Sequence, residues 1–545
     1  MAARENISLQ CLAFEAATTP NATTGLSYLH AACINNNDLA IQSILICSPT
    51  KLDTLIALST PVVSNSSIYN GLLSSQILQA DEQPSQESLP GRNMMCSVYE
   101  KLTSTYVPLQ YQVARFGSIR HLKKLQFLGF DINKASTDKE DAGTTLLMLA
   151  AASNTRKVLE FLIVGGNVHA KGHHGKAALH YASSTGNIET LRCLLERGAN
   201  VNEETTWGRT PLHVASRNGM LCAVTTLVEW GGDILAKTVN QDTPLILAAE
   251  KGHLGVVEFL ILKGSNVNDS NLTGCTAMHF VAKQGHLGVA SLLIQNGSNI
   301  NVIDKSDHQI PLFNASGKPG NLEMVQFLLE EGSEINTRDK HGRTALHFAG
   351  DRDIAELLVQ YRSDPETRDY SSGSTPIFHA AANGYPDVVD FLIDQGFDAQ
   401  HAKNIAGESP LHGGVRSGHK NVALRLIEYG CNVNLKAMLG GVTPLILAVL
   451  AGNQDMVQCL IEKGAIVDDA DNWQSTPLHK AVEWNTDVDI ILCLLSYGAS
   501  ASIQDSRGET PLDIANRLGK ACFAEILMQA ETTTPKSITM TTVSE

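Results

Sequence analysis

Gly208-Arg209-Thr210-Pro211-Leu212-His213-Val214-Ala215 decides the fold, because close relatives of these residues return about every 33 positions between residues 143 and 515. The stretch reads as a helix start. Thr210 can act as N-cap, its hydroxyl accepting from an unpaired N–H of the first turn, and Pro211 occupies the first helical position, where a missing donor costs nothing. Leu212 and Ala215 begin an apolar face. Gly208, two residues before the cap, suits a tight turn that needs positive φ.

The cap column runs Thr145, Ala177, Thr210, Thr243, Thr276, Ile310, Thr344, Thr375, Ser409, Thr443, Thr476 and Thr510, in steps of 31 to 34 residues. Gly stands two positions earlier in most copies, from Gly143 to Gly508, and Pro follows the cap in eight of them. A second glycine column, including Gly198, Gly231, Gly264, Gly297, Gly332, Gly396, Gly430, Gly464 and Gly498, follows a second apolar helix such as Leu254 to Ile261. Those glycines suit a left-handed residue just past a helix end. Each unit therefore reads as turn, helix, helix, and a period this regular outweighs other clues to fold.

The pattern resembles the ankyrin repeat family, whose T-P-L-H-x-A signature stands here as Thr210 to Ala215 and again as Thr476-Pro477-Leu478-His479-Lys480-Ala481. That resemblance implies an all-α repeat solenoid, ankyrin-type helix pairs joined by short β-hairpin fingers. It also implies that finger tips and first helices line a concave face that holds a protein partner.

Working outward, residues 105–530 form the array. Residues 1–58 read as a divergent N-terminal capping region around Ser27-Tyr28-Leu29-His30-Ala31-Ala32, residues 59–104 as a Ser-rich polar insertion or linker, and 531–545 as a disordered tail. The last array helix is expected to end near Met528. Between 310 and 365 the pattern is irregular. Ile310 lacks the cap hydroxyl, Ser316-Gly317-Lys318-Pro319-Gly320 holds an extra residue, the next unit is about one turn short after Ala349, and Arg362 replaces the terminal glycine. One-dimensional arrays depend on neighbour interfaces, so a bend or loosening is expected there.

Composition bounds function. The chain has 545 residues, 43% of them hydrophobic and 5% aromatic, with a formal net charge of -15. That acidity argues against general nucleic-acid binding, whose affinity is built from basic charge. No run reaches the roughly 18 apolar residues of a membrane helix, so no membrane insertion is expected. Eleven cysteines without a C-x-x-C pair, and an opening Met1 to Asn6 lacking an apolar signal core, point to the cytoplasm or nucleus.

No catalytic motif is visible: no G-x-S-x-G elbow, phosphate loop or H-E-x-x-H helix. His180, His213, His279, His347, His412 and His479 share one repeat column and read as structural. Thr210→Ala and His213→Ala are each expected to cost on the order of 1 kcal/mol. The cluster His169, His173, His174 and His180 lacks an acidic or cysteine partner for metal, and Asp468, Asp469 and Asp471 read as solvated finger charge rather than a calcium loop. No cofactor is expected.

Recognition falls to the column three before each cap, which varies while its neighbours stay fixed. His174, Trp207, Asn240, Thr273, His341, Trp473 and Arg507 from that column, with the flanking Arg209 and Arg343, are the partner-contact candidates. Trp230 and Trp484, near helix ends, are expected to be more buried than Trp207 and Trp473. The expected function is a non-catalytic, monomeric protein-interaction scaffold or adaptor. The alternative is an enzyme subunit or ubiquitin-ligase substrate adaptor in which residues 1–105 carry a second activity or partner, although that segment is short for a catalytic domain and has only scattered His30, Cys33, Cys47 and Cys96.

Overall fold

The computed structural model describes residues 143–153, 156–484 and 487–532, with isolated positions between 119 and 135. The readings made for 1–104, with its scattered His30, Cys33, Cys47 and Cys96, and for 533–545 lie outside the described residues. The chain divides into two compact units between Pro244 and Leu245.

In the first unit, α1 (Leu146–Ala152), α3 (Ala178–Thr185) and α5 (Pro211–Arg217) are first helices, while α2 (Arg156–Gly165), α4 (Ile188–Glu196) and α6 (Leu221–Glu229) are second helices. First helices pack on first helices and second on second, so α3 touches both α1 and α5, and α4 touches α2 and α6. Leu179, Leu212, Ala182 and Ala215 are fully buried between them. Small Ala at the fifth helical position lets neighbouring backbones approach.

The second unit continues the scheme. Its regular first helices are α7 (Pro244–Glu250), α9 (Ala277–Gln284), α14 (Pro376–Asn383), α16 (Pro410–Arg416), α18 (Pro444–Leu450), α20 (Pro477–Glu483) and α22 (Pro511–Arg517). The second helices are α8 (Leu254–Leu262), α10 (Leu287–Gln295), α12 (Leu322–Glu330), α13 (Arg352–Gln360), α15 (Pro386–Asp394), α17 (Lys420–Glu428), α19 (Gln454–Glu462), α21 (Val488–Ser496) and α23 (Ala521–Thr532). The last of these runs past Met528 to Thr532. No described helix is long and apolar enough to cross a membrane.

Local sequence explains the helix ends. Thr210, Thr443 and Thr476 cap α5, α18 and α20 through their hydroxyls, with Pro next in line. Gly208 has φ +69, and a Cβ there would come 2.9 Å from the Val239 amide of the following finger, so both conformation and space require glycine. Gly264 has φ +100 with open space around it, so only conformation matters there. Where glycine is missing the backbone keeps its shape: Gln241, His308 and Gln474 hold the finger position at φ 63, 59 and 57, and Arg362 holds the helix end at φ 69.

The fingers differ from the expected β-hairpins. Among the described residues they form turns, and the only bridge of β type is the isolated pair Ser270 and Thr276. A backbone bond spans each of these turns, as from Asp339 N–H to the Arg343 carbonyl (2.9 Å) and from Asp471 N–H to that of Ser475 (3.0 Å), and in several an aspartate reinforces it. Asp339 Oδ1 accepts from the His341 and Arg343 amides, and Asp471 Oδ1 from those of Trp473 and Ser475. The carboxylate takes up the N–H groups that the short turn leaves unpaired.

The irregular segment is where the sequence puts it, with one compensation. α11 (Pro311–Ser316) stops after six residues, and the next first helix shrinks to a single 3-10 turn, Ala345–Phe348. The extra residues of one unit fill the room left by the other: Gly350 N–H donates to the Ser316 carbonyl (3.0 Å), Gly320 N–H to Asp351 Oδ2 (2.6 Å), and Pro319 lies against Gly350. A Cβ on Gly350 would meet Pro319 Cδ at 2.9 Å. Gly350→Ala is therefore expected to lower stability by about 1–3 kcal/mol through overpacking. Amide exchange is expected to be faster from Gly350 to Arg362 than from Leu254 to Ile261, and equal protection of both stretches in the unsubstituted protein would dismiss a weak interface here.

Candidate functional site

In six repeats a buried histidine of the first helix is engaged on both ring nitrogens by the scaffold. His213 is fully buried; its Nδ1 accepts from Thr210 N–H at 3.1 Å and its Nε2 meets the Asp242 carbonyl at 3.0 Å. His180, His279, His347, His412 and His479 repeat both contacts, reaching Arg209, Gln309, Ser374, Val442 and Glu509 carbonyls. A backbone N–H can only donate and a carbonyl only accept, so each ring is neutral with its proton on Nε2. Burial pushes all six below the ordinary imidazole range, His213 and His347 to about 4.

A second internal ladder was not legible as such. Asn202 Nδ2 donates to the Gly231 carbonyl (3.1 Å), and Asn268, Asn301 and Asn434 do the same to Gly297, Gly332 and Gly464. These asparagines tie unit to unit along the outer edge. Asp471 is likewise structural: it is buried, and Lys480 lies 3.0 Å from its second oxygen, which corrects the reading of solvated charge. Asp469 pairs with Lys436 at 2.7 Å.

The finger tips are the surface that remains. Backbone bonds link successive tips: Thr206 N–H to the His174 carbonyl (2.9 Å), Val239 to Trp207 (3.0 Å), Lys305 to Thr273 (2.8 Å) and Ser506 to Trp473 (2.9 Å). The column three before the cap thus carries the tip carbonyls as well as the variable side chains.

Of the candidates in the first unit, His174, Trp207 and Asn240 are exposed and Arg209 is half-buried. The Trp207 ring lies on His174 of the preceding finger, centroids 4.3 Å apart. In the second unit Thr273, Trp473 and Arg507 are exposed, and His341 is half-buried 3.9 Å from Asp307. Thr273 donates its hydroxyl to Asn271 within its own turn. Trp473 lies over Gly440, with Lys480 5.6 Å from its ring centre. Arg343 is held inward, 2.7 Å from the buried Asp339 carboxylate and 4.6 Å from the Phe348 ring, so its charge is engaged by the finger itself.

The tryptophan comparison comes out differently from expectation. Trp230 and Trp484 are 44% and 68% exposed, against 44% for Trp207 and 56% for Trp473. Both lie at the C-caps of α6 and α20, where the side chain projects past the last turn instead of into the stack.

Reading only the column three before the cap missed exposed residues nearer the finger base. Tyr370, Ile405, Met438 and Leu439 project outward four or five positions before their caps, beside Arg338, Arg368 and Lys403. Large apolar residues in otherwise polar turns were the available signal.

A family model described as ankyrin repeats (3 copies) matches residues 111–205, 147–238, 212–304, 278–369, 350–437 and 436–505. Among solved structures, the chain is similar to the crystal structure of the human ASB11 ankyrin repeat domain, at 26% identity over 41% of this chain and 99% of that one, with a TM-score of 0.38. No curated protein matches it.

Proposed function

The chain belongs to the ankyrin repeat family, whose repeats are generally protein-interaction modules, and from that premise we propose that it is a non-catalytic, monomeric scaffold that binds a protein partner along its fingers and first helices. One observation carries the reading. The repeated histidines of the first helices are engaged within the array, whereas the exposed finger side chains differ in almost every repeat. Fixed columns build the stack, and variable exposed ones are free to recognise.

The thiols support the absence of catalysis. Burial raises Cys431 to about 11 and shifts Cys193, Cys459 and Cys493 in the same direction, away from a reactive thiolate. Reduced cysteines also suit a cytoplasmic or nuclear location.

Trp207→Ala, Asn240→Ala, Trp473→Ala and Arg507→Ala, made singly, test the scaffold. Partner affinity is expected to fall about tenfold or more for at least one tryptophan variant, consistent with hot-spot losses of about 2 kcal/mol, while thermal unfolding stays unchanged. If no finger substitution alters any protein association of the folded chain, the reading fails.

A further inference from the structure

Between Asp339 and Ser475 the second unit carries a strip of outward apolar side chains. Tyr370, Ile405, Met438, Leu439 and Trp473 come from four successive fingers, and each is at least 56% exposed. The backbone ladder sets them in a row: Tyr370 N–H donates to the His341 carbonyl, Ile405 to Ser372 and Leu439 to Ala406. Four of the five also lie across a glycine of the preceding finger. Cβ atoms at Gly342, Gly373 and Gly440 would meet Tyr370, Ile405 and Trp473 at 2.6, 2.8 and 3.3 Å, and one at Gly407 would meet Met438.

Cations border the strip. Arg338 sits 5.5 Å from the centre of the Tyr370 ring and donates to the Arg368 carbonyl. Arg368 in turn donates to the carbonyls of Gly373 and Lys403, beside Ile405. Arg338, Arg368 and Lys403 are all exposed, and among the described residues none of them forms an ion pair. Three carboxylates of the same fingers are engaged elsewhere, Asp339 by Arg343, Asp369 by His379 at 2.9 Å and Glu408 by Arg416, and Glu366 is an exposed acid two residues before Arg368. An acidic chain has here a positively edged apolar ridge.

We propose that this ridge binds an extended segment of a partner protein in which a large apolar side chain recurs every third residue with carboxylates between. The proposal rests on the scaffold reading and adds the chemistry of the partner. Opposite charge answers the three unpaired cations, and apolar side chains answer the strip. Repeats stack about 10 Å apart, as packed helices do, and a polyproline-type extended chain advances about 3.1 Å per residue with about three residues per turn. Every third side chain of such a segment therefore returns to the ridge about once per finger, whereas a helix would offer each finger about one side chain in two turns.

The test uses the full chain and a fluorescent peptide of about four Ile-Asp-Asp triplets, long enough to cross four fingers. Saturable binding that weakens with salt is expected, with the matching Ile-Lys-Lys peptide binding at least tenfold more weakly. Lys403→Glu and Leu439→Ser, neither of which removes a backbone contact, are each expected to reduce affinity at least fivefold with unchanged thermal unfolding. No binding of the acidic peptide, or binding that both variants leave intact, overturns the proposal. So does preferential binding to anionic vesicles or single-stranded DNA, or a concentration-dependent dimer lost in Leu439→Ser, which would assign the ridge to another occupant. If the ridge fails while Trp207→Ala or Arg507→Ala still weakens a protein partner, the scaffold reading stands without it.

Discussion

At pH 5 the protein is expected to be several kcal/mol less stable than at pH 7.5, with the loss located in the first helices. His213 and His347 titrate near 4 when folded, against an ordinary imidazole value of 6.5, because burial disfavours the charged ring. The folded chain therefore binds these protons more weakly than the unfolded chain. Above about pH 7 both states are neutral and the rings add no pH dependence; between 6.5 and 4 the unfolded state holds the extra proton and stability falls as pH falls. A depression from 6.5 to about 4 corresponds to about 3 kcal/mol per ring when complete, and about 2 kcal/mol of that is lost by pH 5. His180, His279, His412 and His479 shift in the same direction and add to it. Urea unfolding at the two pH values, with imidazole titrations followed by NMR, measures this. A midpoint that does not move, or rings titrating near 6.5 in the folded protein, would remove the argument.

His213→Ala is expected to cost about 3–5 kcal/mol, well above the roughly 1 kcal/mol of Thr210→Ala. Truncating the ring leaves the buried Thr210 N–H without its acceptor, takes one of two donors from the Asp242 carbonyl, which keeps the Thr238 N–H, and opens a cavity between first helices. Thr210→Ala removes a cap bond of 3.4 Å and the 2.9 Å hydroxyl contact to His213 Nδ1, but leaves the imidazole bridging the Thr210 N–H and the Asp242 carbonyl. The sequence suggested equal costs because a repeat column shows that a residue is structural without showing how many partners it holds. Thermal and urea unfolding of the two variants side by side would settle the order, and equal losses would mean that the bridge to Asp242 contributes little.

Much of the architecture was legible because its signals are local. A hydroxyl before a proline starts α5, α18 and α20, and a missing side chain permits φ of +83 at Gly198 and +100 at Gly264. Even the defects could be located: the six residues of α11 and the 3-10 turn at Ala345–Phe348 follow from counting positions. The candidate site was less legible. Thr273 and Trp473 are exposed at their fingers as their column suggests, but Arg343 turns inward to Asp339, a partner four residues away whose burial no spacing reveals. Trp230 and Trp484 were misplaced because nearness to a helix end says nothing about which way the side chain leaves the last turn.

By itself, the sequence determined the family, the helix pairs, their caps and the place of the irregular repeat, since each rests on backbone preferences expressed within a few residues. Only the tertiary structure decided which polar groups are already engaged and which face outward. His213 finds Asp242, Asn268 finds Gly297, and Pro319 closes on Gly350 across about one repeat of chain. Those contacts leave Arg338, Arg368 and Lys403 unpaired beside Tyr370 and Ile405. The physical reason is that exposure and charge pairing belong to surfaces assembled from neighbouring repeats, and a column of residue types fixes the period of that surface but not its balance of contacts.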